Sequence, residues 1–395
     1  MNVIMNDSKV NANHSLLNSA TQIFRNWDIW EILLLVLFIF GTIGNSLTII
    51  VMRSKRMRKR NESLLISTIS ILDMSLLTIK LFVNLQKINK IPIYSFCVLI
   101  QFVLPQIVAW QVYWLIVVVT IERYIAVSKP FQVNLLMSKM RCKMIIVTLF
   151  IVFTILSSTQ AACLKYNEKK PHYCIVKEVV IFENSSKKTD ICMVYMKNVF
   201  PWIKSALMSW IPWVPALVFN ILILISLNKS KKMREVITIM SNGKNRRHDF
   251  NSMSPMNSRV ELCQNGDLKC LLHKKSNILS QLKGLKRELK EKQITITLCT
   301  ISFTFILFTA PFTIFEVVRK ISDDKSVTAF LNSRDMHRLG HFLLDCLHVT
   351  NFIFYCVFAR GFRSELRKFF LNCNRRCIKN QEYKCGSNHT GKTFL

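Results

Sequence analysis

Long apolar stretches alternate with short polar ones along this chain, and the alternation predicts its architecture. Seven stretches are long enough to cross a bilayer, because about 20 helical residues span the hydrocarbon core. They cover residues 29–52, 64–85, 99–126, 144–162, 206–227, 294–318 and 341–358. We number them spans one to seven. The pattern predicts an all-α membrane protein, a seven-transmembrane helix bundle over residues 29–358.

Span seven is the most polar of the seven. It contains His341, Asp345 and His348. Ionisable groups are costly in contact with lipid. We therefore expect this span to face other helices or a wet cavity.

The basic residues of the chain are placed unevenly. The sequence is 51% hydrophobic and carries a formal net charge of +31. Residues 53–60 (RSKRMRKR), the connection between spans five and six, and the tail are all strongly basic. The positive-inside rule places these segments in the cytoplasm and the N-terminus outside. We expect no nucleic-acid partner, because the basic residues lie between apolar runs and not on one compact domain.

The segments outside the spans also have distinct characters. Residues 1–28 are polar, and we expect a disordered extracellular N-terminus without a cleavable signal peptide. Glycosylation sequons occur at Asn6, Asn13 and Asn184. Residues 229–292 form a long basic third cytoplasmic loop, disordered in its middle and helical in its last part, where leucines recur at helical spacing.

The segment after span seven is amphipathic. Residues 360–371 place Phe362, Leu366, Phe369 and Phe370 on one helical face, which predicts an interfacial helix on the lipid bilayer. Residues 372–395 form a cytoplasmic tail. Cys373 and Cys377, at its start, are either S-acylated or free thiols.

Three cysteines fall on the outer side of the predicted bundle: Cys97, Cys174 and Cys192. That side meets an oxidising compartment, where disulfides form. We favour a bond between Cys97 and Cys174, with Cys192 as the alternative partner of Cys97.

Polar residues inside apolar spans suggest function. Glu122-Arg123-Tyr124 closes span three, where it is either a coupling site or a simple helix stop. Asn45, Asp73 and Asn351 are expected to face one another or bound water, either to hold helices together or to switch between states.

These features together resemble a rhodopsin-family G-protein-coupled receptor over about residues 30–371. The string WLIVVVTIERYIAVSKPF, which contains Glu122-Arg123-Tyr124, is similar to that family's third span and second inside loop. NFIFYCVFARGFR resembles the Asn-Pro-x-x-Tyr region, with Phe352 in place of proline. This variant and the TIERYIAV run look most like invertebrate neuropeptide receptors of the FMRFamide type. The other matching positions are Gly44-Asn45, Asp73, Pro215, Phe305 and Pro311.

The resemblance implies a plasma-membrane receptor with an extracellular ligand, a heterotrimeric G protein and arrestin as partners, and no cofactor or metal. It assigns coupling to Glu122, Arg123 and Tyr124, and we expect Glu122 to pair with Arg123 at rest. The switch residues that it implies are Asn45, Asp73, Phe305, Pro311, Asn351 and Tyr355.

Three positions depart from the family pattern. Thr309 stands where the family usually has an aromatic residue before the span-six proline. Span four lacks its usual tryptophan, and Val112 lies near a position that usually offers a hydroxyl to sodium. These departures leave the switch details and the existence of a sodium site open.

The ligand class follows partly by exclusion. Pro105 and Gln106 stand where amine receptors of the family carry an aspartate, and Asp345 lies in the region where opsins carry a lysine. With the amine and opsin types excluded, we expect a peptide ligand. The polar residues expected at the pocket mouth are Gln106, Gln111, Glu316, Arg319, His341 and Asp345. Glu316 and Asp345 would suit a basic peptide, unless they pair with other helices or are solvated at the rim.

Other functions have weaker support in the sequence. We see no catalytic motif and so do not expect an enzyme. A transporter usually shows internal repeats, and none is evident. A ligand-binding receptor that does not signal stays open, because Thr309 and Phe352 both alter the switch motifs.

Overall fold

The structure, a computed structural model, describes residues 28–372 except for 59, 90, 92–95, 130–131, 167–173, 177–179, 185–186, 229–267, 323–325, 327–329 and 331–332. Seven helices in this part of the chain are long and apolar enough to cross a membrane, which confirms the predicted fold class. They are Ile29–Met52, Glu62–Ile88, Leu99–Ser128, Lys139–Ala162, Ile191–Asn228, Thr295–Ile321 and Asp335–Phe358. Asn6, Asn13, Cys373 and Cys377 lie outside the described residues.

Spans five and six are longer than the apolar pattern predicted. Span five begins at Ile191 and passes through two π-helical turns, Tyr195–Val199 and Ala206–Trp210. Lysines in its outer part hid this start, because they lower the local hydropathy. Span six belongs to one continuous helix, Leu268–Ile321, which includes the segment predicted as its cytoplasmic extension.

Span three forms the centre of the bundle. Of its most apolar window, 61% is buried, against 17% for span four. It packs against spans two, four and six. Its buried side chains include Trp110, Tyr113 and Leu115. A change along span three therefore reaches several other helices.

Two small antiparallel sheets lie between spans four and five, where the sequence predicted no strands. Strand β1 (Leu164–Tyr166) pairs with β2 (Cys174–Val176), and β3 (Val180–Asn184) pairs with β4 (Lys187–Asp190). Strands of three to five residues are too short to show a clear alternation of apolar and polar positions. The predicted all-α class is thus correct for the bundle but omits these hairpins.

Disulfides fasten this connection to the bundle. Cys97 at the start of span three is bonded to Cys174 in β2, with 6.0 Å between Cα atoms. Cys192 is bonded to Cys163, not to Cys97. The sequence analysis missed Cys163, because it directly follows an apolar run and was grouped with membrane cysteines.

A helix over residues 360–372 follows span seven, as predicted. Phe362 is buried and stacks on Tyr355, with 5.5 Å between ring centroids. This residue therefore faces the bundle and not the lipid. Glu365 accepts a hydrogen bond from Lys368 and pairs with Arg56 at 3.5 Å, and these cations lower the pKa of its carboxyl.

Candidate functional site

Arg123 lies at the inner end of span three in a buried ion pair. Its guanidinium is 2.5 Å from the carboxylate of Glu62, and the two side chains are only 3% and 8% exposed. Glu62 begins span two and also pairs with Arg60 at 2.5 Å. Glu62 thus gives Arg123 an ion-pair partner on another helix, where the sequence analysis named only Glu122. The signal that could have found it is that Glu62 is the first acid after the basic run of residues 53–60.

A cavity of about 260 Å³ borders this ion pair. Spans one, two, six and seven and the helix after span seven contribute to its wall, through residues that include Met52, Glu62, Thr297, Tyr355 and Phe362. Tyr355, a predicted switch residue, and Glu62, the partner of Arg123, therefore meet around one space. Tyr124 points elsewhere, with its ring 5.3 Å from that of Phe219 on span five.

A hydroxyl pair joins spans three and six just outward of Arg123. The oxygens of Thr120 and Ser302 are 2.6 Å apart and both residues are buried. Sequence reasoning did not identify either residue, because serine and threonine are common in membrane helices. The contact holds the inner part of span six against span three.

A polar cluster lies in the middle of the bundle. The carboxylate of Asp73 is 2.6 Å from Nδ1 of His348 and accepts a hydrogen bond from Asn351 at 3.0 Å. Asn45 donates to the backbone carbonyl of His348 at 3.0 Å. The structure thus brings Asn45, Asp73 and Asn351 together, as the sequence led us to expect. His348 joins them as a fourth member without an earlier role.

Aromatic rings connect this cluster to span six. The ring of His348 stacks on Tyr113 at 6.0 Å between centroids, and Tyr113 contacts Phe305 at 5.4 Å. All three side chains are buried. The stack gives the polar cluster a direct packing route to the helix that carries Pro311.

Two departures from the family pattern are accommodated by local contacts. Thr309 accepts a hydrogen bond from the indole of Trp213 on span five at 2.9 Å and donates to the carbonyl of Phe305 at 2.7 Å. Phe352, in place of proline, lies so close to Gly44 that a Cβ there would be 2.9 Å from its Cβ. Glycine at position 44 therefore allows spans one and seven to approach.

The two outer carboxylates predicted to meet a ligand already have partners. Asp345 forms an ion pair with Lys80 of span two. Glu316 pairs with Arg319 one turn further along span six, at 2.5 Å. Both acids thus follow the alternative of pairing within the bundle, and a basic peptide would reach them only by displacing Lys80 or Arg319.

The other residues predicted at the pocket mouth have different surroundings. Gln111 is buried and donates to the carbonyl of Ile146 on span four at 2.9 Å, so it joins spans three and four. His341 packs between the rings of Phe312 and His337, at 5.0 and 4.7 Å. The amide nitrogen of Gln106 is buried and has no hydrogen-bond partner among the described residues.

Lys204 adds a cation that the sequence analysis missed. It lies on the outer part of span five, just before the predicted start of that span. Its ammonium stands over the ring of Phe312, 5.4 Å from the centroid. The outer end of the bundle thus collects charged groups from spans two, five, six and seven.

Comparison with known families matches this arrangement. The family described as 7 transmembrane receptor (rhodopsin family) matches residues 44–357, well over half of the chain. Comparison with curated protein sequences finds no match, so no named relative supports the finer likeness to FMRFamide-type receptors. The chain belongs to the rhodopsin family of seven-transmembrane receptors, multi-pass plasma-membrane proteins that take a ligand and signal through G proteins.

Proposed function

We propose that this receptor binds an extracellular peptide and, once bound, drives GDP–GTP exchange on a heterotrimeric G protein. The observation that carries the proposal is the buried ion pair of Arg123 and Glu62 beside an inner cavity. A buried guanidinium that can change partners is suited to a two-state protein, in which the ligand favours one state.

The groups that move on activation, Arg123 and the inner part of span six, lie at the inner end. In the resting state Glu62 holds Arg123, and the hydroxyls of Thr120 and Ser302 hold span six. Outward movement of span six breaks the hydroxyl contact and widens the cavity, so that Arg123 can meet the G protein. Glu62 keeps Arg60 as a partner. The exchange therefore does not leave a buried carboxylate unpaired, which would cost several kcal/mol.

A packed route joins the two ends. Phe312 lies beside the outer charges, and Phe305, on the same helix, contacts Tyr113, which stacks on His348 of the polar cluster. Pro311 lies between the two phenylalanines, where it removes a backbone hydrogen bond and allows span six to bend. A ligand that shifts Phe312 therefore acts on the helix that must move.

The distribution of polar groups supports a peptide ligand. Charged or polar side chains at the outer end come from four spans, namely Lys80, Lys204, Glu316, Arg319, His341 and Asp345. A peptide offers several polar groups on a flexible backbone and can address such a spread. A small amine would need a span-three carboxylate, and Gln106 stands there instead.

Orientation and modification follow from the same division. The cavity lies at the end that carries the basic residues 53–60, and the disulfides lie at the other end. We infer an extracellular N-terminus, with arrestin binding at the inner cavity. Asn184 ends β3 and pairs with Lys187 in the connection that carries the disulfides, and we infer that its sequon lies on the extracellular side. S-acylation of Cys373 and Cys377 would anchor the tail.

The experiment is nucleotide exchange on purified G proteins with membranes that contain the receptor. Synthetic neuropeptide pools, amidated and unamidated, are added and binding of a non-hydrolysable GTP analogue is measured. We expect at least one pool to raise exchange, and membranes without receptor serve as the control. A peptide that binds the receptor at the surface but never raises exchange would instead identify a non-signalling receptor.

A further inference from the structure

We propose that the outer end of the bundle binds a carboxylate of the peptide at the ammonium of Lys204. This inference rests on the proposed function and names the ligand chemistry of the same site. It reverses the expectation of a basic peptide.

The charges around Lys204 do not cancel. Lys80 with Asp345 and Arg319 with Glu316 form two pairs, each neutral overall. Lys204 is a third cation beside them, and among the described residues it has no hydrogen bond and no ion pair. The charged groups that act on it are Glu316, which is already paired, and the cations Lys80 and Arg319. The immediate surroundings of Lys204 therefore carry a surplus of positive charge.

Lys204 is also placed to be reached. Its side chain is only partly buried, and its ammonium lies over Phe312, beside His337 and His341. A ring face stabilises a cation less than a carboxylate does, so the site remains electrostatically incomplete. An incoming anion completes it without breaking either existing pair.

A cationic ligand has no equivalent place beside Lys204. To meet a carboxylate there it must displace Lys80 from Asp345 or Arg319 from Glu316. Like charges brought together in a partly desolvated site oppose binding. The surroundings of Lys204 therefore select for negative charge both by attraction and by exclusion.

The test measures the charge around Lys204 directly, without an agonist. A cysteine is introduced by His337→Cys at an exposed position beside Phe312. Its rates of reaction with an anionic sulfonate-bearing thiosulfonate and with a cationic trimethylammonium one are compared, and the receptor with native His337 gives the background. The second variant adds Lys204→Met, and the matched control adds Lys197→Met, an exposed lysine of the same span.

We expect the anionic reagent to be favoured, and Lys204→Met to lower the anionic-to-cationic rate ratio by about tenfold, or ~1.4 kcal/mol. Lys197→Met should change the ratio by less than about twofold, because water screens its charge. A ratio that Lys204→Met leaves unchanged, or one that favours the cation, overturns the proposal. The rates need no G protein, so a failure of nucleotide exchange would not be mistaken for a failure of the anion site.

Discussion

The two ends of the bundle hold similar charged residues in different arrangements. At the inner end one carboxylate, that of Glu62, serves two guanidinium groups, Arg60 and Arg123. At the outer end Asp345 and Glu316 each have one cation, and Lys204 has no ion pair among the described residues. A shared carboxylate allows one partner to leave at low cost, which suits a switch. A cation without an ion pair can bind an anionic group of a ligand, which suits a ligand site.

The ends also differ in how firmly they are held. Two disulfides fasten the outer connection to spans three, four and five. The described inner end is held by ion pairs and the hydroxyl contact of Thr120 with Ser302, beside a cavity. Covalent links fix the outer frame, so the larger movement on activation is expected at the inner end.

Loss of Arg123 should have the largest effect of these substitutions, and it should act on coupling to the G protein. Arg123→Ala should reduce peptide-stimulated exchange by more than tenfold while surface expression is kept, because Glu62 retains Arg60. Exchange per surface receptor is the measurement. Arg56→Ala is the matched control, since Arg56 is exposed and Glu365 keeps Lys368. Equal exchange at equal expression would remove Arg123 from coupling.

Removal of either disulfide at the outer end should impair folding, and removal of the one that closes the longer loop should impair it more. The bond between Cys97 and Cys174 spans 77 residues and that between Cys163 and Cys192 spans 29. Chain-entropy reasoning gives roughly 4.5 and 3.6 kcal/mol for loops of these lengths. Cys97→Ser should therefore lower surface expression and thermal stability more than Cys192→Ser. Both variants are measured on the unliganded receptor. If Cys192→Ser lowered expression and stability more than Cys97→Ser, the bond between Cys163 and Cys192 would be the more important one for folding.

Glu62→Gln should release Arg123 from its ion pair while the other contacts of the inner end remain. An amide cannot balance the buried guanidinium, so the resting state loses about 3–5 kcal/mol. We expect exchange without agonist to rise severalfold. Glu365→Gln is the control, because that carboxylate is about as buried as Glu62 but pairs with Arg56 and Lys368 and not with Arg123. Unchanged basal exchange would mean that Glu62 does not restrain Arg123.

The sequence predicted the spans and part of the site for one reason: both rest on local pattern. Apolar length gives the helices, and the resemblance placed Arg123, Asp73 and Asn351. The partners came only from the structure. Glu62 lies 61 positions before Arg123, and His348 and Lys204 carry no local motif. Contacts between helices depend on rotation and depth in the bundle, which a single apolar stretch does not specify.

The smallest expected effects separate the two outer pairs. The side chain of Asp345 is 9% exposed, whereas Glu316 and Arg319 are 17% and 32% exposed. Asp345→Asn leaves the ammonium of Lys80, which is 24% exposed, without its partner. This should cost about 3 kcal/mol, the lower end of the range for a buried pair. Glu316→Gln breaks a pair within one helix turn near water, and such pairs contribute about 0.3–0.5 kcal/mol.

Thermal unfolding of the solubilised receptor measures this difference. We expect a clear drop for Asp345→Asn, partly restored when Lys80→Met is added, because no buried charge then remains unpaired. Glu316→Gln should shift the midpoint little. It should, however, strengthen the binding of an acidic peptide, since it removes a carboxylate that acts on Lys204. If Glu316→Gln destabilised the receptor as much as Asp345→Asn, the outer carboxylates would both be structural, and the division between a fixed pair and a ligand-facing pair would be wrong.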